Sequence, residues 1–222
     1  MGTMITLRAE DGHNFQAYKA RHQGNRRGGL VLLQEIFGVT PHIKALCDEF
    51  ASFGYDVLSP AIFDRIAPDA AFGYEPDDIN IAKTYSEQAG LETPMADIQA
   101  CVDRLGQDGL VAITGFCYGG SLVWMAASRV KSLSCAVGYY GRLIPDHLDE
   151  VPKCPTMLHF GEHDASIPLE GVDRVRETHP KVDIHIYDAD HGFCSDRPQN
   201  FSAKAKERAL KRTLTFFDIN MG

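Results

Sequence analysis

The segment Gly115-Phe116-Cys117-Tyr118-Gly119-Gly120 lies between an apolar run, Leu110 to Thr114, and a helix-like run, Ser121 to Ala127. The pattern predicts a strand, a very tight turn and a helix, with one nucleophilic side chain at the apex. So sharp a turn leaves no room for side chains on its flanks, and glycine holds those positions. The arrangement matches the nucleophile elbow Gly-x-Ser-x-Gly, with cysteine where serine is usual. Cys117 then sits at the N-terminus of the following helix. Unpaired backbone N–H groups and the positive end of the helix dipole favour thiolate over thiol there. The N–H of Tyr118 is available to a developing oxyanion. The competing interpretation of a cysteine in a glycine-rich turn is a buried, inert thiol.

The rest of the chain predicts a sheet to carry that turn. Ile5 to Ala9 and Phe15 to Tyr18 flank Asp11-Gly12 as an antiparallel hairpin. Leu30 to Leu33 is a continuous apolar run, as expected of a strand buried on both faces. Pro41 to Phe53 reads as a helix with Thr40 as N-cap. Tyr55 to Leu58 is a strand, and Pro94 to Leu105 a helix. Cys135 to Tyr139, Thr156 to Phe160 and Val182 to Tyr187 are further strands; Leu169 to Thr178 and Ser202 to Phe217 are further helices. The polar stretch Asp64 to Gln88 gives no readable conformation. Strands separated by helices imply one domain over 1–222, built on a mostly parallel, twisted sheet with helices on both faces and the antiparallel hairpin at its N-terminus.

Ligands of such sheets bind beyond the carboxyl ends of the strands. Cys117, Asp164 and His191 all fall there, in the order nucleophile, acid, histidine that α/β hydrolases share. In that arrangement His191 accepts the thiol proton and Asp164 fixes its tautomer. The loop Gln34-Glu35-Ile36-Phe37-Gly38 follows the first buried strand and supplies the second oxyanion donor, the N–H of Ile36. Glu35, between a buried strand and two apolar residues, must be paired or protonated. A metal cluster of His159, His163 and His191 lacks any compact ligand motif. Ser121, the nearest alternative nucleophile, falls inside the helix.

Composition narrows the partners. With 22 basic and 30 acidic residues the net charge is −8, which argues against nucleic acid and anionic membranes. An anionic substrate would need a local basic pocket. Six cysteines are scattered without a Cys-x-x-Cys pair, which favours reduced thiols and a cytoplasmic setting. No apolar run approaches the length of a membrane span.

Over nearly its whole length the chain resembles the dienelactone hydrolase family. The resemblance rests on Gln34 to Gly38, Gly115 to Gly120, Ala136 to Gly141, Gly161-x-x-Asp164 and His191-Gly192-Phe193. It implies an α/β-hydrolase fold and a Cys117, Asp164, His191 triad. It also implies a Glu35 that interacts with the resting thiol and an oxyanion hole of the Ile36 and Tyr118 N–H groups. No cofactor and no metal are implied. The implied substrate is a small ester or lactone, dienelactone being a lactone that carries a carboxylate held by two arginines. The expected arginine positions are Ile81 and Ser195 here, whereas Tyr85 fits the substrate-binding pattern. Arg65, Arg142 and Arg197 are candidate replacements, Arg142 the best placed because it follows a strand end. The second functional class is a binding or redox-sensing protein that uses Cys117 as an oxidisable thiol, with Cys194 as resolving partner.

Overall fold

Four strands are buried at every position: β3 (Gly28–Leu33), β5 (Val111–Phe116), β6 (Cys135–Tyr139) and β7 (Thr156–Gly161). Such strands have no solvated face, and they belong in a parallel sheet covered by helices. In the computed structural model, which describes residues 2–197 and 199–222, they form the centre of an eight-stranded sheet. With β1 (Thr3–Arg8), β2 (Asn14–Ala20), β4 (Tyr55–Pro60) and β8 (Asp183–Tyr187), the order is β1-β2-β4-β3-β5-β6-β7-β8. β1 and β2 form the expected antiparallel hairpin, β2 meets β4 antiparallel, and every pairing from β4 to β8 is parallel. This is the mostly parallel sheet of an α/β-hydrolase fold.

The helices are α1 (Pro41–Ser52), α2 (Pro76–Ala89), α3 (Pro94–Gly106), α4 (Tyr118–Arg129), α5 (Leu169–Thr178) and α6 (Ala203–Met221). Thr40 caps α1 by accepting a hydrogen bond from the Ile43 N–H. α1 and α6 meet through Phe50 and Phe217, whose ring centroids are 6.4 Å apart, and α6 reaches the sheet where Phe217 packs on Tyr55 at 5.7 Å. α3 and α4 cover β3 and β5 from the other layer.

The stretch that gave no reading becomes a short 3-10 turn, Ile62–Arg65, followed by α2. The start of α2 has a physical cause. Pro76 occupies the first turn, and Asp77 and Asp78 face the positive end of the dipole. Arg65 lies inside this region and not over the strand ends. Its Nε and NH2 groups grip both oxygens of Asp97 at 2.9 and 2.7 Å, and NH1 reaches Asp11 at 2.7 Å. Arg65 is therefore a structural tie and not a substrate clamp. The Asp97 side chain is completely buried, so losing its partner would strand a charge. Arg65→Ala is expected to lower stability by about 3–5 kcal/mol at neutral pH. Urea unfolding of the two proteins measures this directly.

Candidate active site

The elbow is a close-packed junction of four elements. A Cβ on Gly115 would strike the Gly119 carbonyl oxygen, one on Gly119 would strike the carbonyls of Leu33 and Gln34, and one on Gly120 would strike the Tyr139 carbonyl oxygen. Without those glycines α4 could not start so close to β3 and β6. The chain turns at Cys117, which takes φ 55° and ψ −113°, and the Cys117 N–H donates to the Tyr139 carbonyl at 3.0 Å. A non-glycine residue held there stores strain of about 1–3 kcal/mol.

Three side chains predicted from separate loops converge. His191 Nε2 lies 3.2 Å from Cys117 Sγ, and His191 Nδ1 lies 2.6 Å from Asp164 Oδ2. The other oxygen of Asp164 accepts the Ser166 N–H at 2.8 Å, and Asn200 donates to the His191 carbonyl at 2.9 Å. A carboxylate on Nδ1 fixes the tautomer, leaving Nε2 to exchange a proton with sulfur. Burial disfavours the imidazolium. The hydrogen bonds to Asp164 and Cys117 outweigh it and raise the pKa of the ring to about 10. Among the described residues the N–H groups of Ile36 and Tyr118 have no protein acceptor. Those are the two expected oxyanion donors.

Glu35 is buried, at 5% exposure, and no side chain among the described residues hydrogen-bonds its carboxyl. Burial pushes its pKa up to about 7, against the opposing pull of His191 and Arg197. The neighbouring Gln34 anchors this loop, accepting the Ile62 N–H at 3.1 Å. Tyr140 completes the wall. Its backbone has φ 38°, its ring meets His191 edge-on at 5.1 Å, and its buried hydroxyl has no partner among the described residues.

These groups open into a cleft of about 590 Å³, lined by Glu35, Ile36, Cys117 and His191 together with a stripe from α2. The stripe is Ile79, Lys83, Ser86 and Glu87, spaced as one helical face. A larger depression of about 850 Å³ lies at the β1 edge beside Lys19, Arg21 and His22, and no cysteine is among the described residues that line it.

Arg142 and Arg197 line the cleft, as does Ser195. Arg197 also stacks over the Tyr74 ring at 5.1 Å. Ile81 points elsewhere on α2 and is exposed. Tyr85, expected to touch substrate, instead turns inward, packing on Phe72 at 4.9 Å and Phe63 at 5.8 Å. Lys83 was missed by the sequence reading because α2 itself was missed. The three histidines of the conceivable metal cluster are dispersed. His159 is fully buried and His163 is exposed against Asp188. Glu162, His163 and Asp188 do bring ligand atoms within 4.8 Å of one another, all three on the exposed surface.

Comparison with known proteins gives the lineage. A model of the dienelactone hydrolase family matches residues 15–220. The chain belongs to the dienelactone hydrolase family. A carboxymethylenebutenolidase from a Pseudomonas species is 31% identical over 221 residues, covering 95% of this chain and 92% of its own. A second from Pseudomonas putida is 28% identical and covers 96% and 94%. A Klebsiella pneumoniae structure provisionally named a dienelactone hydrolase superposes with a TM-score of 0.83 at 26% identity, covering 98% of each chain. This family member is a hydrolase of esters or lactones. Among the described residues no helix is long and apolar enough to cross a membrane.

The raised pKa of Glu35 has a thermodynamic consequence. In the unfolded chain its carboxyl ionises near 4.5, and in the folded protein near 7. Between those values the native state holds the extra proton, so this group's contribution to stability falls as pH rises and levels off above 7. Glu35→Gln is expected to be more stable than wild type at pH 8, by on the order of 3 kcal/mol, and nearly equal at pH 4.5. Urea midpoints at the two pH values read the difference.

Proposed function

We propose that the chain hydrolyses a small ester or lactone by covalent catalysis through Cys117. The observation that carries this reading is the row of contacts from Asp164 through His191 to Cys117, at 2.6 and 3.2 Å. In the proposed reaction the proton of the thiol is held on His191 Nε2, whose raised pKa favours the imidazolium, and sulfur attacks the carbonyl carbon. The oxyanion is held by the Ile36 and Tyr118 N–H groups. The carbon–oxygen bond breaks, His191 returns the proton to the departing alkoxide, and an acyl-thioester remains. His191 then takes a proton from water, the hydroxide attacks the thioester, and the thiolate leaves as the acid forms. Glu35, whose carboxyl ionises only near pH 7, sits beside this chemistry and in its protonated form does not compete for the imidazolium.

The substrate class follows from the relatives and the cleft. Carboxymethylenebutenolides carry a carboxylate. Lys83, Arg142 and Arg197 line the cleft, and none forms a salt bridge among the described residues. In a chain of net charge −8, three uncommitted cations around one nucleophile favour an anionic ester or lactone. Arg142, exposed at the mouth, is the proposed carboxylate contact. Tyr85 would act at one remove, by bracing the Phe63 and Phe72 rings. A reactive thiol of this kind fits a reducing cytoplasm.

The redox-sensing alternative fares worse on one observation. Cys194 is buried, and burial pushes its thiol well above the ordinary range, which makes it a poor resolving nucleophile. Hydrolysis of a neutral aryl acetate and of a carboxylate-bearing lactone tests the proposal. Cys117→Ala is expected to lose about three orders of magnitude or more in kcat/KM on both. Equal rates in the two proteins would overturn it. Arg142→Ala is expected to raise KM about tenfold for the anionic lactone, equivalent to about 1.4 kcal/mol, while leaving the aryl acetate within twofold.

A further inference from the structure

Beneath the cleft runs a buried polar chain that the chemistry above does not use. His159, on β7, is fully buried. Its Nδ1 lies 2.9 Å from the Tyr187 hydroxyl on β8, and its Nε2 lies 3.1 Å from Thr213 Oγ1 on α6. Thr213 Oγ1 is also 2.6 Å from the Tyr139 hydroxyl on β6. Burial pushes the imidazole well below its ordinary range, so the ring is neutral with one donor and one acceptor. In either tautomer the three contacts can all be hydrogen bonds running in one direction, with the hydroxyl hydrogen of one terminal tyrosine left over. A network linked in this way favours one geometry, where an apolar filling of the same volume would tolerate several.

The same residues anchor the loops of the site through their backbones. The Tyr139 carbonyl accepts the Cys117 N–H at 3.0 Å. The His159 carbonyl accepts the N–H of Tyr140 at 2.7 Å, and Tyr140 packs against the His191 ring. The Tyr187 carbonyl accepts the Glu162 N–H at 2.7 Å, two residues before Asp164. Each strand end is thus tied sideways to its neighbours by a side chain and upward to the site by a carbonyl.

We propose that His159 and Thr213 are positioning residues that set the spacing of Cys117, His191 and Asp164 by locking the ends of β6, β7 and β8 to α6. The proposal rests on the hydrolase reading only for its effect on turnover. Its effect on the sulfur–imidazole contact stands apart. A displacement of about 1 Å at such a site can cost on the order of a hundredfold in rate.

Thr213→Val keeps the volume and removes the hydroxyl; Thr213→Ser keeps the hydroxyl and removes the methyl. Aryl acetate kinetics, the rate of Cys117 alkylation by iodoacetamide and the melting midpoint are measured on both and on wild type. Thr213→Val is expected to lower kcat about 10- to 100-fold with KM within about twofold, and to slow alkylation several-fold. Thr213→Ser should recover both rates to within about threefold even where its melting midpoint stays low. A Thr213→Val protein that melts earlier yet keeps kcat and alkylation within twofold overturns the proposal. Tyr187→Phe, which opens the other end of the chain, gives the same readouts if Thr213→Val does not fold. A wild type that alkylates fast but hydrolyses nothing would defeat the hydrolase reading alone, and the alkylation contrast between variants would still decide the positioning role.

Discussion

The backbone at Cys117 can turn as it does only because glycine lets two other strands approach it. β5 delivers the residue, β3 lies against Gly119 through the Leu33 and Gln34 carbonyls, and β6 accepts the Cys117 N–H through Tyr139. The strained φ of 55° is the residue of that crowding. It has two results at once. It lifts the sulfur out of the sheet, and it leaves the first N–H of α4 without an acceptor beside it. The proposed nucleophile and the proposed oxyanion donor are products of one turn, so neither can be moved independently. The second proposed donor, at Ile36, follows the neighbouring strand β3, and its loop is held down by the Gln34 side chain.

Electrostatics adds a second layer of constraint. Asp164 is shielded and bonded, so its charge is available only to His191 and the Ser166 N–H. Glu35 is shielded and unbonded, and burial pushes its carboxyl up to about 7. The two acids thus differ in hydrogen bonding more than in burial, Glu35 lining the cleft and Asp164 lying behind His191. A charged Glu35 would compete with Asp164 for the imidazolium, and in the proposed mechanism its protonated form leaves the proton exchange to sulfur and Nε2.

Most of the fold was legible in the sequence because its signals are local. The all-apolar strands, the Thr40-Pro41 helix start and the glycines of the elbow each act within a few residues. The placing of Cys117, Asp164 and His191 at strand ends followed from the same periodicity, and the structure brings these three together. α2 was not legible, although Pro76, Asp77 and Asp78 mark its start and Gly90 its end. Its apolar face is thin, with only Ala82 and Ala89 buried, so the hydrophobic period that reveals other helices is nearly absent. The inward turn of Tyr85 and the cleft stripe at Lys83 went unseen with it. The tie between Thr213 and His159 spans 54 positions and leaves no local trace. In the sequence Thr213 is one residue within the helical run Ser202 to Phe217.

The displaced cation on α2 follows from helix geometry. Residues two apart on a helix are about 200° apart around its axis, so Ile81 and Lys83 cannot serve the same cleft. With Ile79, Lys83, Ser86 and Glu87 facing Cys117, an arginine at 81 would point into solvent. Lys83 offers a point charge in place of a planar fork, and in the proposed reading would attract an anion without fixing its orientation. Orientation must then come from elsewhere. Arg197 has that capacity, because the Tyr74 ring beneath it restrains its guanidinium and its buried Nε has no protein acceptor among the described residues. In the proposed reading Arg142 at the mouth meets the carboxylate, while the loose ammonium of Lys83 adds attraction and the braced guanidinium of Arg197 adds alignment.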